Sequence, residues 1–223
     1  MMLCIPEVIS REELQRLRTA LASAEFIDGK ATAGYRAKRV KNNLQLPEDS
    51  QLSKEISVLI ERALRRNRTF GWATWPKLVR GIRVSLYEPG MQYGHHVDNA
   101  IKPKPEPCRT DVAFTVFLSD PTEYDGGELV IESGLGPLEV KLAAGEAVVY
   151  PASTLHRVAE VTRGRRLVAV GWVQSQVRDP AQREILYDLE RIKRLLAEKM
   201  PDAPETDWAF KTQANLLRMW ADP

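Results

Sequence analysis

The sequence predicts an α+β fold, with a β sandwich or barrel in the middle of the chain and helices before and after it. Three observations carry that expectation. Residues 11–24 and 50–66 space their apolar side chains at helical intervals. Between Val79 and Val173 the texture changes to short β-rich runs separated by Gly, Pro, Asp and Ser. After Gln176 the helical spacing returns. A chain of 223 residues that is 43% hydrophobic can bury one sizeable core and one appended piece, but not two large domains.

Each element has its own local reason. Ser10-Arg11-Glu12-Glu13 is a capping box, in which the serine hydroxyl accepts from the Glu13 N–H and the glutamate reaches back. Leu14, Leu17 and Leu21 then follow on one helical face. In the second helix Leu52, Ile56, Leu59, Ile60 and Ala63 share a side. The expected strands are Val79–Tyr87, Val112–Leu118, Glu128–Ile131, Leu138–Leu142, Ala147–Tyr150 and Arg166–Val173. Many short strands with turns between them favour a sandwich or barrel over a parallel sheet with crossover helices. Gly126-Gly127 suits a tight turn or bulge, and the run from Lys102 to Pro107 suits an extended loop. Asp179-Pro180 places a cap before a proline at the first helical position, and Ile185, Leu189, Ile192 and Leu196 recur on one face until Pro201. A last helix, about 206–220, carries Trp208, Leu216, Leu217 and Trp220.

Composition excludes several classes. Thirty-two basic residues against 30 acidic ones give a net charge of +2, which supports neither nucleic acid nor a membrane surface as partner. The basic runs Arg36–Lys41 and Arg62–Arg68 read as solvated faces. Cys4 and Cys108 are far apart without CxxC spacing, so free thiols in a cytoplasmic protein are expected. No secretory signal is visible in the opening residues, and no run approaches the roughly 18 apolar residues of a membrane span.

The chain has only three histidines, His95, His96 and His156, so the search for metal ligands is short. In an extended segment, His96 and Asp98 project to one face and can grip one ion, whereas a helix would turn them about 200° apart. His95 points the other way. HxD alone is a weak signal, but His156 lies downstream after the apolar run Ala147–Tyr150. Two histidines and one carboxylate form the facial triad of non-haem iron(II) sites, which leaves coordination positions open. A structural zinc site would need a fourth protein ligand, and none is offered nearby. Arg166, ten residues after His156, shares its strand parity with Val168 and Val170. On pattern alone it fits either a buried partner for a ligand carboxylate or the end of a basic hairpin tip, the place assigned to Arg163 and Arg165.

Together, His96-Val97-Asp98, the Asp125-Gly126-Gly127-Glu128-Leu129 turn, Tyr150-Pro151 with Leu155-His156, and Arg166 resemble the iron(II)/2-oxoglutarate dioxygenases. Val40-Lys41-Asn42-Asn43, Phe117–Pro121 and Leu216–Trp220 extend the likeness to the PKHD-type hydroxylases, relatives of prolyl hydroxylases, over nearly the whole chain. The resemblance implies a double-stranded β-helix (jelly roll) at 78–176, N-terminal helices and leading strands at 1–77, and a helical subdomain at 177–223. It implies iron(II) on His96, Asp98 and His156, 2-oxoglutarate on Arg166, and L-ascorbate as a further reductant to test. Tyr87 is the candidate to assist Arg166, with a core aromatic as the other reading. The implied reaction hydroxylates a substrate with decarboxylation of 2-oxoglutarate to succinate at the expense of O2. The substrate itself, a peptide or amino-acid side chain or an iron-scavenging small molecule, is not legible. A cupin-type metalloenzyme and a non-catalytic iron-binding or sensing module stay open as alternatives, as does packing of the last two helices in a homodimer.

Overall fold

A computed structural model describes residues 1–32, 34–102 and 107–223. Most of the expected extended loop from Lys102 to Pro107 therefore lies outside the described residues. The chain forms β1 (Leu3–Ile5), α1 (Arg11–Ala22), β2 (Ile27–Asp28), β3 (Lys41–Asn42), β4 (Leu44–Gln45), α2 (Gln51–Arg66) and α3 (Arg68–Thr74). The middle holds β5 (Pro76–Tyr87), β6 (Gln92–His96), β7 (Ile101–Lys102), β8 (Cys108–Arg109), β9 (Val112–Phe117) and β10 (Tyr124–Gly126). There follow β11 (Leu129–Ile131), β12 (Leu138–Val140), β13 (Ala147–Pro151), β14 (His156–Val158), β15 (Val161–Gly164), β16 (Arg166–Ser175), α4 (Pro180–Lys199) and α5 (Pro204–Trp220).

Two antiparallel sheets make the core. The larger runs β1-β13-β9-β16-β5-β4-β2 and the smaller β12-β11-β14-β6-β3. Alternation along the central strands decides which residues face which layer. On β9, Val112, Phe114 and Val116 join the cluster beneath the helices, while Ala113 and Phe117 join the one between the sheets. β13 repeats this, with Ala147 and Val149 on the helix side and Val148 and Tyr150 inside. Strands buried on both faces read as continuous apolar runs, which is why these were legible. Leu17 and Leu21 of α1, with Ile56, Ile60 and Leu64 of α2, cover the outer face of the large sheet. This is the jelly-roll core that the sequence led us to expect.

The caps are as read. Ser10 and Glu13 close their box, and Asp179 accepts from the N–H groups of Ala181 and Gln182 at 2.7 and 3.1 Å. The face that α4 buries is different. Arg183, Leu186 and Glu190 point inward, while Ile185 and Ile192 are about half exposed (50% and 52%). A polar network holds the two last helices together: Glu190 accepts from Gln213 at 2.7 Å and pairs with Lys193 and Arg194. Buried polar atoms with partners outweighed the apolar stripe in setting the helix's rotation. Arg183 is satisfied by the Val177 and Arg178 carbonyls, both at 2.8 Å.

Candidate metal centre and cleft

β6 and β14 are neighbours in the small sheet, in a register that sets His96 directly opposite His156. Strand β6 ends at His96, and Asp98 lies just beyond it, still close enough for its Oδ2 to sit 4.0 Å from His156 Nε2. Among the described residues, His96, Asp98 and His156 are the cluster in which three ligand atoms all lie within 4.8 Å of one another. His95 points outward and meets Glu132 at 3.1 Å.

Both imidazoles are held the same way. Nδ1 of His96 donates to the Gly94 carbonyl and Nδ1 of His156 to the Thr154 carbonyl, each at 2.9 Å. A carbonyl can only accept, so each Nδ1 carries its proton and each Nε2 presents a lone pair. That tautomer, fixed by a backbone oxygen, is how proteins orient metal-binding imidazoles. Burial, reinforced by the neighbouring His156, lowers His96 to about 4, so near neutral pH it needs to lose no proton to bind an ion. Tyr93 stacks on the His96 ring at 3.6 Å, and burial pushes its phenol upward. Two imidazole nitrogens and a carboxylate oxygen, with no fourth ligand in the cluster among the described residues, suit a divalent iron with open positions.

The triad opens into a cleft between the two sheets. Arg166 lines the same cleft, 1% exposed, with Nε and Nη1 lacking any hydrogen-bond partner. Buried donors are rarely left unpaired, so this pair points to an anion that belongs there. Tyr87 lies directly across the β5–β16 ladder, and the guanidinium carbon stands 5.0 Å from its ring centroid. Burial raises the Tyr87 phenol, with the Arg166 charge opposing. Tyr150 stands between the two ends: its ring is 5.2 Å from that of His156. Burial holds its phenol well above the ordinary value, Asp98 adds to this, and Arg166 works against it. Arg163 and Arg165 are in solvent, pairing with Asp125 at 2.6 Å and Glu88 at 3.2 Å.

Gly127 turns out to serve Arg166. Its φ is +68°, and a Cβ there would fall 2.8 Å from Arg166 Cδ and 2.9 Å from Val161 Cγ2. The Gly-Gly turn thus provides the expected bulge after Asp125 and also the room for the arginine stem.

Several cleft residues were not picked out by sequence reasoning. Lys41 was placed in a solvated run, yet it is 5% exposed and its ammonium donates to Thr32 Oγ1 at 3.0 Å. Its neighbours Arg36, Lys38 and Arg39 are indeed exposed. Asn43, 3% exposed, has no partner for either amide atom, and Trp172 none for Nε1. Lys102 lies over the Trp172 ring at 3.4 Å. No local pattern marks Lys41, because β3 pairs with β6 at Lys41–Tyr93 and Asn42–Gln92, 52 and 50 residues downstream.

Residues 82–174 match the 2OG-Fe(II) oxygenase superfamily. The chain is 49% identical over 223 residues to a PKHD-type hydroxylase of Synechococcus sp. (strain JA-2-3B'a(2-13)), with 100% of each covered. It is 48% identical over 222 residues to one of Acaryochloris marina, again with 100% of each covered. Among solved structures it is similar to a 2OG-Fe(II) oxygenase family oxidoreductase from Burkholderia pseudomallei, at TM-score 0.54 and 18% identity over 77% of this chain and 82% of that one. A Pseudomonas putida prolyl-4-hydroxylase gives TM-score 0.53 and 19% identity, over 78% and 92%. These two likenesses bear on the fold. Sequence identity over the full length decides the rest: the chain belongs to the PKHD-type hydroxylases of the 2OG-Fe(II) oxygenase superfamily, which use iron(II) and 2-oxoglutarate.

Proposed function

We propose that His96, Asp98 and His156 hold the iron(II) of this hydroxylase and that Arg166, with Tyr87 beside it, anchors the far carboxylate of 2-oxoglutarate. One observation carries the reading: the triad and a buried arginine with two unpaired donors share a single cleft. The bound metal would activate O2 against the co-substrate, which is decarboxylated to succinate as the substrate is hydroxylated. The protein's own part is orientation and exclusion of water. The Gly94 and Thr154 carbonyls keep both Nε2 atoms aimed at one point. Arg166 offers the fork that matches a carboxylate, and its burial strengthens that pairing. Tyr150 and the apolar wall of Leu129 and Val158 line the space between. The primary substrate is read as a peptide or amino-acid side chain, or a small molecule, entering from the mouth.

The test is an anaerobic titration of the metal-free protein with iron(II) and 2-oxoglutarate, watching for a metal-to-ligand charge-transfer band in the visible. Its formation in the wild type and its loss in Asp98→Ala are the expected results. Iron binding with no band would remove Arg166 from the proposed role and favour a metalloenzyme without this co-substrate, or an iron-sensing module.

A further inference from the structure

The cleft has a second charged end that 2-oxoglutarate cannot reach while it lies on Arg166. Tyr87, Ser85 and Arg83 line the cleft from β5, facing Arg166, Val168 and Val170 across the ladder. From Tyr87 to Arg83 is four residues, about 13 Å along the strand at ~3.3 Å each. The four C–C bonds of 2-oxoglutarate extend at most about 6 Å. At the far end two cations meet at one indole, and a third lines the same cleft. Lys102 lies 3.4 Å above the Trp172 ring centroid, and the Arg83 guanidinium carbon lies 5.6 Å from it. Lys41 lines the same cleft, 5.3 Å from the Tyr93 ring that stacks on His96.

Among the described residues these charges have few partners. Arg83 is paired through Nε with Glu48, and Lys41 has a hydroxyl, Thr32, as its hydrogen-bond partner. Burial first, then the Arg83 charge, lowers Lys41 and Lys102 each to about 8. A separate sign is Trp172 Nε1, a donor on a side chain only 6% exposed, lining the cleft with no partner. Gly81 leaves room for the indole: its φ is +65°, and a Cβ there would fall 3.1 Å from the ring. A buried lysine, two partly buried cations and a buried N–H donor lining one cleft are satisfied together by an anion.

We propose that Lys41, Arg83, Lys102 and the Trp172 N–H form a carboxylate-binding subsite for the primary substrate. The hydroxylated molecule is then an acid, whose carboxylate docks at the mouth while its reacting carbon lies toward His96 and Asp98. This rests on the reading that Arg166 takes the co-substrate. The shared chemistry admits two sources, a free small acid or an acidic side chain within a peptide.

The experiment uses full-length protein loaded with zinc(II) and 2-oxoglutarate, so that the inner end is filled and no turnover occurs. Two pairs of probes are titrated by calorimetry: benzoate against benzamide, and acetyl-Ala-Glu-Ala-amide against acetyl-Ala-Gln-Ala-amide. The expected result is a preference of about tenfold or more for the charged member of at least one pair. Whichever pair shows it identifies a free acid or a peptide side chain as the source. Lys41→Gln/Arg83→Gln/Lys102→Gln should erase the preference, with 2-oxoglutarate affinity held within about threefold, while Lys41→Arg/Lys102→Arg should keep it. Should the triple variant lose its thermal transition, Lys102→Gln alone at the cleft mouth replaces it. Equal binding of charged and neutral probes, a preference that survives the glutamine variants, or displacement of 2-oxoglutarate by the charged probe would each overturn the proposal. If 2-oxoglutarate itself does not bind, the function proposed above fails, and the same probes on the metal-free protein still decide the subsite.

Discussion

Replacing Arg166 by methionine should separate stability from co-substrate binding. The guanidinium is 1% exposed and leaves Nε and Nη1 unpaired. Each unsatisfied buried donor costs about 1–3 kcal/mol. Against this, the rings of Tyr87 at 5.0 Å and Phe117 at 5.7 Å offset about 0.5–2 kcal/mol by cation–π attraction. The sum is near zero or unfavourable, as expected for a buried charge compared with an apolar side chain of similar length. Without 2-oxoglutarate, Arg166→Met should therefore unfold at or above the wild-type temperature, by up to about 8 °C for a gain of ~2 kcal/mol. Binding should go the other way. Losing one partner of a buried charge pair costs about 2–5 kcal/mol, which is roughly 30-fold to several-thousand-fold in the 2-oxoglutarate dissociation constant. The assay is thermal unfolding of the zinc(II)-loaded protein with and without 2-oxoglutarate. At a hundred times its dissociation constant the ligand should stabilise wild type by ~2.7 kcal/mol and the variant hardly at all. A variant that keeps wild-type affinity within threefold, or loses more than about 4 kcal/mol without ligand, would show that Arg166 is a structural residue.

Other outcomes follow from the same geometry. Gly127→Ala should displace the Arg166 stem and strain a position at φ +68°, lowering stability by about 1–3 kcal/mol and weakening 2-oxoglutarate binding several-fold; an unchanged dissociation constant in the charge-transfer titration would contradict this. His96→Ala and Asp98→Ala should each remove a ligand and lower iron retention on gel filtration by at least about tenfold, with succinate formation lost; wild-type turnover in either would refute the triad. His96 has a folded pKa of about 4, below its unfolded value, so the unfolded chain binds the extra proton between pH 6.5 and 4. Stability of the metal-free protein should therefore fall as pH drops through that window, and His96→Gln should flatten the fall in chemical denaturation at stepped pH.

The sequence by itself determined the parts of this protein that depend on neighbours in the chain. Continuous apolar runs made β9, β13 and β16 legible, because each is apolar on both faces, and the capping groups at Ser10 and Asp179 marked helix starts. The HxD pair stood out because two residues along an extended backbone share a face, whereas the parity of Arg166 with Val168 and Val170 left two readings open until the family resemblance favoured the buried one. Tertiary structure decided what came from pairing at a distance. The short β3 carries Lys41 out of an exposed basic run and into the cleft through its ladder with β6, and two residues of local pattern cannot encode that partner. The rotation of α4 follows the hydrogen bond that Gln213 on another helix donates to Glu190, against its own apolar stripe. The room for Arg166 was made by a glycine that sequence reading took only for a turn. In each case the deciding term is contact between segments far apart in the chain, fixed only when both sheets have closed around the cleft.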